Sequence, residues 1–94
     1  MSQIKLSIVL PVFNEDGNLS LLYEEIRVVC TELGCTYEVI FIDDGSLDGS
    51  LDTLRTIQLK DSNVKVVQFR RNFGQTAALA AGFDVARGQT IATL

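Results

Sequence analysis

Short apolar runs alternate with amphipathic helical stripes three times along this chain, at intervals of about 30 residues. Residues 5–13 (KLSIVLPVF), 37–43 (YEVIFID) and 64–69 (VKVVQF) are rich in β-branched side chains and almost continuously apolar. That is the pattern of strands buried on both faces. Leu19, Leu22, Ile26, Val29 and Leu33 follow the first run at spacings of three and four, and Leu51, Leu54 and Ile57 follow the second. Residues 75–87 predict a third, Ala-rich helix, and residues 90–94 begin a fourth strand. Such a period suits parallel strands joined by crossover helices. Right-handed crossovers would place helices on both faces of one sheet. The expectation is an α/β fold of three strand–helix units plus a fourth strand.

Turn chemistry sets the expected boundaries. Pro11 has no N–H for a ladder, so the first strand should end near it. Residues 14–18 (NEDGN) collect turn and cap formers, and Asp16 or Asn18 could accept from the free N–H groups of the first helix. Gly34 is placed to stop that helix and Gly88 to end the third. Residues 44–50 (DGSLDGS), 61–63 and 70–74 are loops. Nothing follows the fourth strand to cover it, so the natural protein is expected to continue past Leu94. As it stands, the exposed strand could pair with a second copy of the chain.

Composition narrows the classes. With 94 residues the chain is long enough for one small domain. Its 47% apolar and 21% charged residues suit a globular domain with a modest core. A net charge of −4 is a poor match to nucleic acid, which is held by clustered Lys and Arg. A phosphate-bearing ligand would need a divalent cation between itself and so acidic a chain. Cys30 and Cys35 lie on different helix faces, and the absence of His leaves them no zinc partners. They read as a small buried residue and a loop thiol of a reducing compartment. No run approaches the roughly 20 apolar residues that span a bilayer. The 5–13 run also lacks the flanks of a signal peptide, so a cytoplasmic location is expected.

Candidate chemistry sits in the loops at the carboxyl ends of the strands, where open parallel sheets bind ligands. The first carries Pro11, Phe13, Asn14 and Glu15; the second Asp43, Asp44, Gly45 and Ser46; the third Arg70, Arg71, Asn72, Phe73 and Gly74. Adjacent Asp43 and Asp44 should point to opposite sides, one into the crevice and the other to cap the next helix or pair with a neighbour. A carboxylate only accepts hydrogen bonds, so Asp44 facing a base would favour the ring N–H of uracil or guanine. Equally, both acids could simply cap the helix. Glu15 could accept from ribose hydroxyls or interact with the helix dipole. Arg70 or Arg71 could meet a phosphate or form a solvated surface pair. The Ala- and Gly-rich third helix can approach the sheet closely. There is no G-x-G-x-x-G, no Walker-type Gly-Lys-Ser, no G-x-S-x-G elbow and no His for a triad.

Three ordered motifs carry a family likeness: SIVLPVFNE at 7–15, IDDGSxDGS at 42–50, and RNFG at 71–74 running into an Ala/Gly-rich helix. Together they resemble glycosyltransferase family 2, and within it the polyprenyl-phosphate branch of bactoprenol and dolichol-phosphate enzymes. The resemblance covers the whole chain. It implies a Rossmann-like nucleotide-diphosphate-sugar transferase fold, strand order 3-2-1-4, with residues 1–94 as its N-terminal nucleotide-binding part. It implies that Pro11, Phe13 and Glu15 line the nucleoside pocket, completed by Ile42 and by Asp44 at the base, with Arg71 and Gly74 near the donor. It further implies an Asp-x-Asp motif just after Leu94 that holds Mg²⁺ or Mn²⁺ in the longer parent, so neither a catalytic nor a metal-binding residue is expected within this piece, nor a bound ion. The implied reaction is inverting transfer of a hexose from a UDP or GDP sugar to a polyprenyl phosphate at the inner face of the membrane, with the piece alone inactive. A polysaccharide or other glycan acceptor stands as the alternative. A receiver-like signalling module fits less well, because its acidic pair follows the first strand.

Overall fold

The computed structural model describes residues 3–94. Seven elements alternate as expected: β1 (Leu6–Val12), α1 (Asp16–Leu33), β2 (Tyr37–Asp43), α2 (Ser50–Lys60), β3 (Val64–Gln68), α3 (Gln75–Val85) and β4 (Thr90–Thr93). All strand pairs are parallel and the sheet order is β3-β2-β1-β4.

Alternation along the strands divides the core into two layers. Ile8, Leu10 and Val12 of β1, with Val39 and Phe41 of β2, pack under Leu19, Ile26 and Cys30 of α1 and Leu54 and Ile57 of α2. On the other face Val9, Ile40 and Ile42 pack against Ala78 of α3. Each fully buried aliphatic side chain stabilises the fold by roughly 1.5–3 kcal/mol. The small residues of α3 do let it sit close: a Cβ on Gly82 would stand 2.3 Å from Val9 Cγ1.

β1 ends at Val12, one residue past Pro11, which pairs in register with Ile42, so the strand does end near its proline. The carbonyl of Val9 accepts from Leu94 on the β4 side. Pro11, two residues on, faces the same way but past the end of β4, where no ladder bond needs its missing N–H. Two other local expectations differ from the structure. Val29 and Leu33 are exposed, because the buried stripe of α1 runs through Leu19, Ile26 and Cys30. Val29 instead borders an open apolar groove between α1 and β4 lined also by Leu22, Ile26, Ala92 and Leu94. Finally, neither Asp16 nor Asn18 caps α1, whose N-cap position is Glu15 without a side-chain cap.

The α1 N-terminus is capped across space. Ser50 Oγ accepts from the Glu15 N–H at 3.0 Å, and Asp48 Oδ2 from the Asp16 N–H at 3.3 Å. The Asp16 carboxylate accepts from the Thr53 hydroxyl. Asn14, in the left-handed region at φ 52°, accepts from Leu47 N–H and donates its own N–H to Ser46 Oγ. Asn tolerates that backbone conformation. The first and second loops are thereby stitched together. Cys30 is buried and Cys35 partly so, both as free thiols. No described helix is long and apolar enough to cross a membrane.

Candidate functional site

At the carboxyl end of the sheet, the loops after β1, β2 and β3 enclose an open crevice of about 350 Å³. Its walls are Pro11 and Val12 at the end of β1, Phe13 and Glu15 from the first loop, Asp44 from the second, Asn72 and Gly74 from the third, and Gln75 at the start of α3. Of the residues singled out from sequence, Pro11, Phe13, Glu15 and Asp44 are brought together. Ile42 is fully buried in the α3-side core beneath them. Arg71 stands on the exposed rim, its guanidinium 4.9 Å from the centre of the Phe73 ring. Phe73 in turn meets Phe69 edge to face.

The two aspartates diverge as strand alternation requires. Asp43 falls on the α1/α2 face with Val39 and Phe41, is 2% exposed, and makes no hydrogen bond through Oδ1. It does not cap α2, whose N-cap position is Gly49. Asp44 falls on the α3 face, is 4% exposed and borders the crevice. Its carboxylate is held by the third loop: Oδ1 accepts from the Phe73 N–H at 2.8 Å, and Oδ2 from the Gly74 N–H and Asn72 Nδ2, each at 3.1 Å. Asn72 Nδ2 also donates to the Asp44 backbone carbonyl at 3.2 Å.

Gly45 makes this contact possible. Its φ of 73° is strained for any L side chain, and a Cβ there would lie 2.2 Å from the Arg71 carbonyl carbon. Only a glycine lets the second loop press against the third. Beside the fixed Asp44, Phe13 offers an exposed ring and Glu15 an exposed carboxylate. Glu15 also accepts from Asn18 Nδ2 at 3.3 Å. The lining thus combines an apolar wall, two acid groups and the amides of Asn72 and Gln75, and it contains no cation. No group of three or more Asp, Glu, His or Cys among the described residues could hold a metal ion. Asn72 and Gln75 are not marked by spacing along the chain. Position in a loop at a strand end was the signal for Asn72, while Gln75 reads only as the first residue of a helix.

An order 3-2-1-4 parallel sheet with a ligand-sized crevice over its carboxyl ends is the α/β architecture of nucleotide-binding domains. The particular family follows from comparison with known proteins: the Glycosyl transferase family 2 model matches residues 7–94, and the chain belongs to that family. It is 43% identical to the undecaprenyl-phosphate 4-deoxy-4-formamido-L-arabinose transferase of Aeromonas hydrophila, covering 99% of this chain and 29% of that protein. Among solved structures it resembles Staphylococcus aureus TarS residues 1–349, with a TM-score of 0.81 and 24% identity over 97% of this chain and 27% of that one. It also resembles a mannosyltransferase of Pyrobaculum calidifontis in complex with GDP-Man and Mn²⁺, with a TM-score of 0.71 and 18% identity, again over 97% and 27%. These two likenesses establish the fold. The chain spans under a third of the length of each of these proteins.

Proposed function

We propose that this chain is the nucleotide-binding part of a glycosyltransferase that moves a hexose from a UDP or GDP sugar to a polyprenyl phosphate, with inversion at the anomeric carbon. The observation that carries the reading is the meeting of Pro11, Phe13, Glu15 and Asp44 in one crevice at the carboxyl end of the sheet. In this reading Pro11 and Phe13 supply the apolar wall for a base, and Glu15 accepts from ribose hydroxyls. Asp44 accepts from the base. A carboxylate offers about four acceptor positions, and three are filled by the third loop. What remains suits the single ring N–H of uracil or guanine. The undecaprenyl-phosphate relative supports a lipid-phosphate acceptor, and a parent acting at the inner membrane face is part of the same reading.

The division of labour is physically reasonable. A lipid phosphate is already ionised at neutral pH and needs little help from a general base. The departing diphosphate needs its charge neutralised, and a divalent ion such as the Mn²⁺ of the mannosyltransferase supplies that when bound. In this reading the ligands of that ion and the catalytic groups come from residues other than those of the crevice. The chain's own contribution is to bind and orient the nucleoside.

Titration of the chain with UDP and GDP in the presence of Mg²⁺, followed by NMR chemical shifts, tests the assignment. Shifts should map to the residues around Pro11, Phe13, Glu15 and Asp44. Asp44→Ala should weaken binding by about 1–3 kcal/mol, the cost of an unmade charged hydrogen bond. Shifts confined to other surfaces would overturn it.

A further inference from the structure

We propose that Asn72 is a positioning residue that sets which bases the crevice accepts, acting through Asp44. The inference rests on the nucleotide-binding reading and deepens it. Among the described residues Asn72 is the one side chain that grips Asp44, and it does so twice: Nδ2 donates to Oδ2 at 3.1 Å and to the Asp44 carbonyl at 3.2 Å. One amide group thus ties the aspartate's side chain to its own backbone and removes its rotation. The Phe73 N–H on Oδ1 and the Gly74 N–H on Oδ2 complete the hold. No cation pairs with Asp44 among the described residues, so hydrogen bonds alone orient it.

The consequence is directional. Two of the three donors sit on Oδ2 and one on Oδ1, so the acceptor position left open belongs to Oδ1. A fixed carboxylate with one open position favours a ligand presenting one N–H in one place. A base without a ring N–H, cytosine or adenine, leaves that buried oxygen unmet, and an unmet buried acceptor is costly. With Asn72 gone, the Phe73 and Gly74 N–H groups still hold one position on each oxygen, but a second open position appears on Oδ2 and can receive the exocyclic amino groups of cytosine or adenine. Discrimination should therefore fall further than affinity. An anchor that merely holds the third loop in place would lower affinity for all bases alike.

The experiment titrates the chain with the 5′-monophosphates of uridine, guanosine, cytidine and adenosine, which avoids dependence on a metal at a diphosphate. The unaltered chain should prefer uridine or guanosine over cytidine and adenosine by about tenfold or more. Asn72→Ala should bring that ratio close to one. Asn72→Asp, almost the same shape, places a second carboxylate against Asp44. It should lose selectivity at neutral pH and recover it in acid, where a shared proton restores the donor. If Asn72→Ala does not fold, the pH profile of Asn72→Asp decides. A ratio unchanged in both variants overturns the inference, as does an equal loss for all four nucleotides. Failure of the unaltered chain to bind any of them overturns the nucleotide reading itself.

Discussion

Two buried carboxylates lie on one face of the sheet, Glu38 at the amino end of β2 and Asp44 just past its carboxyl end, and they are held in different ways. Glu38, at the amino end, is 1% exposed and accepts from Ser7 Oγ and the Arg87 N–H, both at 2.6 Å, while its other oxygen meets the Lys65 ammonium at 2.6 Å. Ser7 Oγ accepts in turn from the Gly88 N–H at 2.7 Å. Burial pushes the Glu38 carboxyl up, but the Lys65, Ser7 and Arg87 donors outweigh it and leave it below the ordinary value. Asp44, at the carboxyl end, is equally well supplied with hydrogen bonds but has no cation partner among the described residues and borders an open crevice. A carboxylate neutralised and sealed can only brace the fold. One left with its charge uncompensated and an acceptor position open can also receive a ligand.

The largest effect expected from this contrast is on stability. Glu38→Ala removes the centre of a buried network and should cost about 2–5 kcal/mol, because the Ser7 hydroxyl and the Arg87 N–H lose the acceptor they share. Urea unfolding would measure it. The loss should leave nucleotide binding by the folded fraction unchanged, because the crevice lies at the other end of the sheet. Next comes Asp44→Ala, which should cost about 1–3 kcal/mol of stability through the unpaired Phe73 and Gly74 N–H groups. Unlike the first variant, it should also abolish base preference. If Glu38→Ala disturbed base preference as much as Asp44→Ala, the two ends would not be separable.

The strands and helices were legible because burial on both faces demands apolar runs, and these are visible one residue at a time. The crevice was partly legible for the same kind of reason: parallel topology puts the loops of Pro11, Glu15 and Asp44 at one end whatever their detailed shape. What stayed hidden was nonlocal pairing. Glu38 is an acid near the start of an otherwise apolar run, which is a signal that it needs a partner. Its partners, though, lie 31 and 49 positions away and one is a backbone N–H. The capping of α1 by Ser50 and Asp48 is hidden likewise, since propensity identifies cap formers next to a helix and not across a loop. Asn72 acts only because Gly45 lets two loops touch.

A smaller effect concerns acid. A carboxyl whose folded value lies below its ordinary 4.5 adds stability that is present above that pH and is lost as the pH falls from there through the folded value. Glu38 should therefore steepen the decline of stability below about pH 4.5, and Glu38→Gln should flatten it. Asp48 and Glu24 are also lowered, by Ser50 and Arg27 respectively, but both are exposed. The decline should thus be shallower in the variant and not absent. A decline of unchanged slope in Glu38→Gln, read from unfolding midpoints across pH 3–6, would assign the acid sensitivity elsewhere.

The smallest expected effect isolates the cation. Lys65 is 40% exposed, so its pairing with Glu38 competes with water on one side. Lys65→Met should cost no more than about 1 kcal/mol, in the range of solvent-exposed ion pairs. Ser7 and Arg87 would still hold the carboxylate, and the methionine would keep the apolar stem in place. The loss should shrink further in high salt, where the pair is already screened. A loss as large as that of Glu38→Ala would mean that the ammonium, and not the hydrogen bonds, keeps Glu38 buried as an anion. Asp44 does without a cation, so hydrogen bonds of the same kind must suffice for it. The Lys65 variant therefore measures whether they suffice at both ends of the strand.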